Sequence, residues 1–303
     1  MTDTEPVGRY APSPSGPLHA GSLLAAVASF VHARSRGTRW VLRMDDIDRD
    51  REVPGAADDI LRTLEAFGLT WDGPVLYQSR RLDAYQAALD QLRESGRVFD
   101  CGCTRREAQT GPAGIEGPVY PGTCRDGLPA GRSPRSVRFR TTEGDLAFQD
   151  GIQGAIAQNP AKDVGDFVVR RADGQFAYQL AVVVDDAAQG VTEVVRGADL
   201  LTSTPRQILL QQALGLPVPD YWHVPLIAHA DGRKFSKSEG AAAIDPSRPV
   251  PGLLAALDRL GQSPPADLAA ADVDTVLAWA KANWQIKNIP HQLSPTAETA
   301  HAS

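Results

Sequence analysis

Cysteine is scarce in this chain, with three residues in 303, at Cys101, Cys103 and Cys124. An odd, clustered set cannot form the paired framework that staples a small secreted domain, and it reads as metal or redox chemistry first. Aromatic residues make up only 6%, and positive charge is outnumbered: 31 Lys and Arg face 37 Asp and Glu, for a net charge of −6. That balance argues against indiscriminate binding to nucleic acid or an anionic membrane, although a local basic face is compatible with it. No apolar run approaches the length of a membrane span. The opening residues MTDTEPVGRY hold neither the basic stretch nor the apolar core of a signal peptide, so a cytoplasmic protein with no membrane partner is expected. There is no internal repeat.

What is present fits a globular chain: 42% hydrophobic and 22% charged residues at a size that sustains a core without crosslinks. Val7–Ala11 reads as a short strand and Leu23–Arg34 as a helix. TRWVLRMDDID then reads as a second strand ending in carboxylates. Strand, helix, strand in that order predicts a parallel α/β unit. PGAADDILRTLEAFG and RRLDAYQAALDQLRESG are helices, each stopped by a glycine. From Cys101 to about Val169 the texture changes to Gly, Pro and Arg, which predicts an insertion made mostly of strands and loops. Within it SVRFR alternates like a half-buried strand, and DFVVRRADGQFAYQL reads as two strands around an Asp-Gly turn. AYQLAVVVDD reads as a buried strand, GVTEVVRGADL as another, and STPRQILLQQALG as a helix. A polar loop, ADGRKFSKSEG, and two helical stretches follow. The tail NIPHQLSPTAETAHAS has no periodicity and is expected to be disordered.

The stretch GRYAPSPSGPLHAGSLLAAVASF places His19 and Gly21 at the mouth of a helix directly after a strand. A helix N-terminus presents unpaired N–H groups and a positive dipole end, which suit phosphate. Glycine lets a ligand approach the backbone, Ala20 leaves room for a flat ring, and a histidine on the rim donates to charge that builds in a transition state. Alone, His19 reads as a half-exposed residue beside a capped helix. Alone, GRKFSKS reads as a solvated basic turn. Together, in this order and around a split α/β sheet, the two resemble the paired HIGH and KMSKS signatures of class I aminoacyl-tRNA synthetases.

The likeness tightens at RYAPSPSGPLHAGS, RMDDID, REVPGAADDI, AYQLAVVVDD and VTEVVRGADLL, which resemble the glutamyl branch of that class. CGC with a later VYPGTC, and the early end of the chain, resemble the truncated glutamyl-queuosine tRNA(Asp) synthetases within that branch. The likeness runs from about Gly8 to about Leu260. It implies an α/β fold: a Rossmann-like parallel sheet, formed by residues 1–100 and 170–222, interrupted by a zinc-binding insertion at 101–169. The KFSKS loop and a mainly helical, stem-contact-like region would follow at 223–285, ahead of the tail at 286–303.

The resemblance further implies that ATP activates L-glutamate without tRNA, giving glutamyl-adenylate. The glutamate would then pass to the queuosine base in the anticodon loop of tRNA(Asp). His19, Lys234 and Lys237 would be catalytic, with His19, Gly21, Ser22 and Lys237 facing ATP. Glutamate would be held by Arg9, Tyr10, Ala11, Pro12, Ser13, Asp45, Tyr178 and Arg196. The two arginines suit the two carboxylates, because a planar guanidinium pairs bidentately with carboxylate. Asp45 departs from the glutamate usual at this place in the family; the backbone shifts, a water intervenes, or Asp45 is not the contact.

Cys101, Cys103, Tyr120 and Cys124 match the family's structural zinc site, with Asp100, Asp126 or water as fallback ligands and three metal-free buried thiols as the alternative. Mg2+ is implied by the nucleotide and not by any ligand cluster. A monomer is expected. A minimal glutamyl-tRNA synthetase that charges an acceptor end, and an inactive RNA-binding paralogue, are the competing readings. The chain ends before the helical domains that read the anticodon in a discriminating glutamyl-tRNA synthetase.

Overall fold

A computed structural model describes residues 5–226 and 244–291. In chain order its elements are β1 (Val7–Tyr10), α1 (Ala20–Ser35), β2 (Arg39–Met44), α2 (Ala56–Ala66), β3 (Leu76–Tyr77), α3 (Leu82–Glu94) and β4 (Val98–Cys101). Next come α4 (Arg105–Ala108), β5 (Ala113–Gly114), β6 (Gly117–Pro118), β7 (Ser136–Phe139), β8 (Leu146–Asp150), β9 (Gly154–Gln158), α5 (Pro160–Asp163) and β10 (Val168–Arg170). The last are α6 (Tyr178–Ala188), β11 (Glu193–Gly197), α7 (Thr204–Leu214), β12 (Asp220–Val224), α8 (Pro249–Arg259) and α9 (Val273–Asn283).

The central sheet runs β3-β2-β1-β11-β12-β8-β9, parallel throughout except for the β8–β9 hairpin at its edge. The chain leaves β1 towards β2 on one side and later returns to β11 on the other. The order therefore reverses between β1 and β11, and in open parallel sheets ligands bind in the crevice at the carboxyl ends of such a pair. α1 lies against β1, β2 and β11. The contact is close: a Cβ on Gly8 would stand 3.2 Å from the Ala33 Cβ. α1 is buried on nearly every side, from Leu23 through Ala33. Its other faces meet α8 and α9, so the C-terminal helices close the core over it.

The stretch read as an insertion supplies a three-stranded antiparallel sheet, β10-β7-β4, and the small hairpin β5–β6. It is not packed apart. Val98, Val137, Phe139, Phe167 and Val169 share a core with Leu89 of α3, Leu180 of α6 and Leu210 of α7. The β8–β9 hairpin goes further and joins the main sheet, with Asp150 opposite Tyr221.

Two expectations are corrected. AYQLAVVVDD is not a strand but most of helix α6. Leu180, Ala181, Val182, Val183, Asp185 and Asp186 are all buried in it, so the helix is enclosed and its sequence shows no polar stripe. Its two buried carboxylates are anchored from outside: Asp185 accepts from Gln78, Arg81 and Tyr85, and Asp186 accepts from Arg43. The hairpin read in DFVVRRADGQFAYQL keeps its first strand, β10. The second shrinks to a single bridge, Arg170 to Phe176, because α6 begins two residues later.

Candidate active site

A cavity of about 490 Å³ opens at the carboxyl ends of β1 and β11. It is bounded by Arg9 to Ser13, by the loop into α1, by Tyr178 at the start of α6, and by Arg196 at the end of β11. Thus Arg9, Tyr10, Ala11, Pro12, Ser13, His19, Gly21, Ser22, Tyr178 and Arg196, all singled out in the sequence, line one space.

His19 is the N-cap of α1. Its Nδ1 accepts from the backbone N–H groups of Gly21 and Ser22 at 3.1 and 3.3 Å. Two donors aimed at Nδ1 leave that nitrogen without a proton. The ring proton therefore sits on Nε2, 3.1 Å from Ser22 Oγ. The glycine has a second role here: a Cβ on Gly21 would lie 3.1 Å from His19 Cε1 and 3.2 Å from Nδ1. A side chain there would crowd the imidazole where it folds back over the first turn.

Arg9 and Arg196 are both buried, with 3% and 5% of their surface exposed. Arg9 Nη1 donates to the Val195 carbonyl at 3.2 Å, and its Nε faces Asp186 at 3.5 Å, too far for a good hydrogen bond. Burial lowers the pKa of Arg9; Asp186 opposes that, and the positive charges of Arg196 and Arg43 add to it. Arg196 donates from Nε to His223 and from Nη2 to Thr204, at 3.0 and 2.9 Å. Arg9 Nε and Arg196 Nη1 have no hydrogen-bond partner among the described residues. Buried cationic donors held together without enough acceptors form a site for an anion. Burial also raises the phenol of Tyr178, keeping it a neutral donor beside them.

Asp45 does not line this cavity. It lies behind Ser13, on a neighbouring cleft of about 20 Å³. Its N–H donates to the Pro12 carbonyl at 2.9 Å, and its Oδ1 accepts from Arg43 Nε at 2.7 Å. Burial pushes its carboxyl up to about 6 despite Arg43. Arg43 itself is fully buried and also donates to Asp186 at 2.6 Å, so Arg43 ties Asp45 to the acid that faces Arg9.

Lys234 and Lys237 lie outside the described residues. The residues that flank their segment are both near the helix mouth. Leu226 lines the cavity, and the Ile244 N–H donates to the Leu18 carbonyl at 3.1 Å.

The three cysteines come together, all buried, with their sulfur atoms within 4.8 Å of one another. Tyr120 Oη is 3.4 Å from Cys101 Sγ and 3.7 Å from Cys103 Sγ, and the two sulfurs of Cys103 and Cys124 are 3.7 Å apart. A tetrahedral ion with bonds of ~2.3 Å to sulfur sets neighbouring sulfurs ~3.8 Å apart, so the donor set fits such an ion. Burial raises the Cys101 thiol, but hydrogen bonds from Tyr120, the Cys103 backbone and Arg138 outweigh it and bring Cys101 down to about 7. The three cysteines could hold a metal, with the Tyr120 phenol beside them.

The family profile for class I tRNA synthetases (E and Q), catalytic domain, matches residues 7–248. The glutamyl-Q tRNA(Asp) synthetase of Chromobacterium violaceum is 56% identical over 284 residues, which span 93% of this chain and 95% of that protein. The chain belongs to the glutamyl-Q tRNA(Asp) synthetase family. A second member, from Dechloromonas aromatica, is 55% identical over 288 residues, 94% of this chain and 96% of its own. A solved glutamate tRNA ligase from Elizabethkingia meningosepticum superposes with a TM-score of 0.79 at 24% identity, over 98% of this chain and 68% of that one, which shows the class I synthetase fold.

Sequence reasoning missed several residues at this family site. Arg51, Asp199 and Arg259 line the cavity, the last from the end of α8. Asp199 sits inside the quoted VTEVVRGADLL and was within reach. Arg259 ends a helix far along the chain, with no local signal. His223 contacts Arg196, and Asp150, 73 residues earlier, contacts His223. Among the described residues, no helix is long and apolar enough to cross a membrane.

Proposed function

We propose that this chain activates L-glutamate with ATP in the absence of tRNA and then transfers it to the queuosine base of tRNA(Asp). One observation carries the reading most. Two buried arginines with unsatisfied donors open into the same cavity as a histidine-capped helix N-terminus. That combination suits a dicarboxylic amino acid beside a polyphosphate. The naming of relatives more than 50% identical over nearly their whole length supports the second step.

In the first step a glutamate α-carboxylate oxygen bonds to the α-phosphorus of ATP, and the bond to the β-phosphate bridging oxygen breaks, releasing pyrophosphate. No enzyme nucleophile is required, so catalysis is positioning and charge stabilisation. Arg9 and Arg196 hold carboxylate, with Tyr178 and Ser13 as neutral partners. The Nε2 proton of His19 and the first N–H groups of α1 receive phosphate charge, with Lys234 and Lys237 neutralising the leaving pyrophosphate. Mg2+ accompanies the nucleotide. In the second step a hydroxyl of the queuosine cyclopentenediol attacks the activated carbonyl and AMP leaves.

Cys101, Cys103, Tyr120 and Cys124 hold one zinc ion, whose contribution is structural. It ties β4 to a Gly/Pro-rich loop that has little apolar material of its own. The enzyme acts in the cytoplasm as a monomer.

Labelled glutamate, ATP and tRNA(Asp) with and without queuosine test the reading. The label should appear on the anticodon fragment after nuclease digestion, and only when queuosine is present. Label on the acceptor end would identify a minimal glutamyl-tRNA synthetase instead.

A further inference from the structure

Asp150 closes β8, the hairpin strand that joins the main sheet beside β12. Its Oδ1 accepts three backbone N–H groups, from Ile152, Gln153 and His223, at 3.0, 2.8 and 3.2 Å. Its Oδ2 lies 2.6 Å from His223 Nδ1. Both side chains are fully buried, so no water substitutes for either partner. A carboxylate opposite Nδ1 requires the ring proton there, which leaves Nε2 a bare acceptor. That acceptor meets Arg196 Nε at 3.0 Å, while Thr204 takes Nη2. Arg196 is thus held by two of its three nitrogens, and Nη1 remains for a ligand.

We infer that Asp150 and His223 are positioning residues for Arg196: the carboxylate fixes the imidazole tautomer, and the tautomer fixes the guanidinium that recognises substrate. The inference rests on the amino-acid reading of the cavity proposed above. It gives the β8–β9 hairpin a role in substrate selection, although that hairpin lies outside the cavity wall.

Asp150→Asn is the discriminating change. Three N–H groups oblige the amide to keep its oxygen at the Oδ1 position, so its NH2 faces His223 Nδ1. The imidazole then has to carry its proton on Nε2, setting one donor against another at Arg196 Nε. A triad aspartate replaced by asparagine fails for the same reason. In glutamate-dependent ATP–pyrophosphate exchange, KM for glutamate should rise about 10- to 100-fold, the range for one displaced charged hydrogen bond, with KM for ATP unchanged. The 15N spectrum should move the His223 proton from Nδ1 to Nε2.

His223→Gln, which retains an acceptor towards Arg196, should lose less glutamate affinity than His223→Leu. It also serves as the test if the asparagine variant does not fold. A folded Asp150→Asn enzyme with unchanged glutamate KM, or with both substrates' KM and kcat shifted together, would overturn the inference, as would an unmoved proton. If the wild-type protein shows no exchange with glutamate, the proposed function fails, and the 15N experiment still judges the tautomer.

Discussion

Replacing His19 separates the cap seen in the structure from the catalytic role proposed for the same ring. Nδ1 caps α1, and Nε2 presents a proton at the helix mouth. Losing a cap costs about 1 kcal/mol. In a chain of this size that lowers Tm by about 2 °C. Losing a donor that meets charge in the transition state slows the reaction about 100- to 1,000-fold, or 2.7–4 kcal/mol. His19→Ala should therefore show both effects. His19→Asn should separate them, because an asparagine oxygen replaces Nδ1 as a cap but nothing replaces Nε2. The assay pairs thermal melts with the rate of adenylate formation. The alanine variant should melt slightly lower and react far more slowly. The asparagine variant should regain its Tm and stay slow. If asparagine restores the rate as well, the histidine is only a cap and the placement of the phosphates is wrong.

Other outcomes follow from the same geometry. Gly21→Ala would put a Cβ 3.1 Å from the imidazole, tighter than ordinary contact, so the ring must shift by a few tenths of an ångström. Adenylate formation should drop with little change in Tm, and an unaffected rate would show that the ring position does not matter. The purified protein should contain about one zinc per chain. Cys124→Ser should lower both the metal content and the melting temperature, whereas a fully folded, metal-free preparation would remove the zinc assignment.

Acid should destabilise the fold. Burial lowers His32 and His223 from 6.5 to about 4. The native state then binds fewer protons than the unfolded chain between those values, so this stability is complete above pH 6.5 and lost as pH falls towards 4. Each histidine accounts for on the order of 3 kcal/mol, while Asp45, raised to about 6, acts with opposite sign over part of the range. Urea midpoints should fall on acidification, and His32→Gln should flatten the slope; a midpoint that rises would contradict the sign.

Much of this arrangement was legible in the sequence where local pattern and structure agree. β1, α1 and β2 follow from a strand, an apolar helix and a second strand in succession, and the histidine-glycine pair marks the helix mouth between them. The cysteines were legible because their spacing already brings three ligands close. α6 was not, since a helix surrounded by protein loses the polar face that would reveal its period. The β8–β9 hairpin escaped because its outward face carries Ala147, Ala155 and Ala157 in place of a polar row, which blurs the alternation, and its partner β12 follows about 70 residues later. Asp45 was read from its place in a motif, and the sequence did not reveal that Arg43 would occupy its carboxylate. The Asp150–His223–Arg196 chain is assembled wholly by the sheet.

The proposed reaction joins glutamate to ATP in the crevice between β1 and β11, unaided by RNA. Exchange of labelled pyrophosphate into ATP, measured without tRNA against a panel of amino acids, tests it most directly. Glutamate should drive exchange, aspartate and glutamine should not, and Arg196→Ala should abolish it. Exchange that is absent with every amino acid, or equal with aspartate and glutamate, would contradict the account.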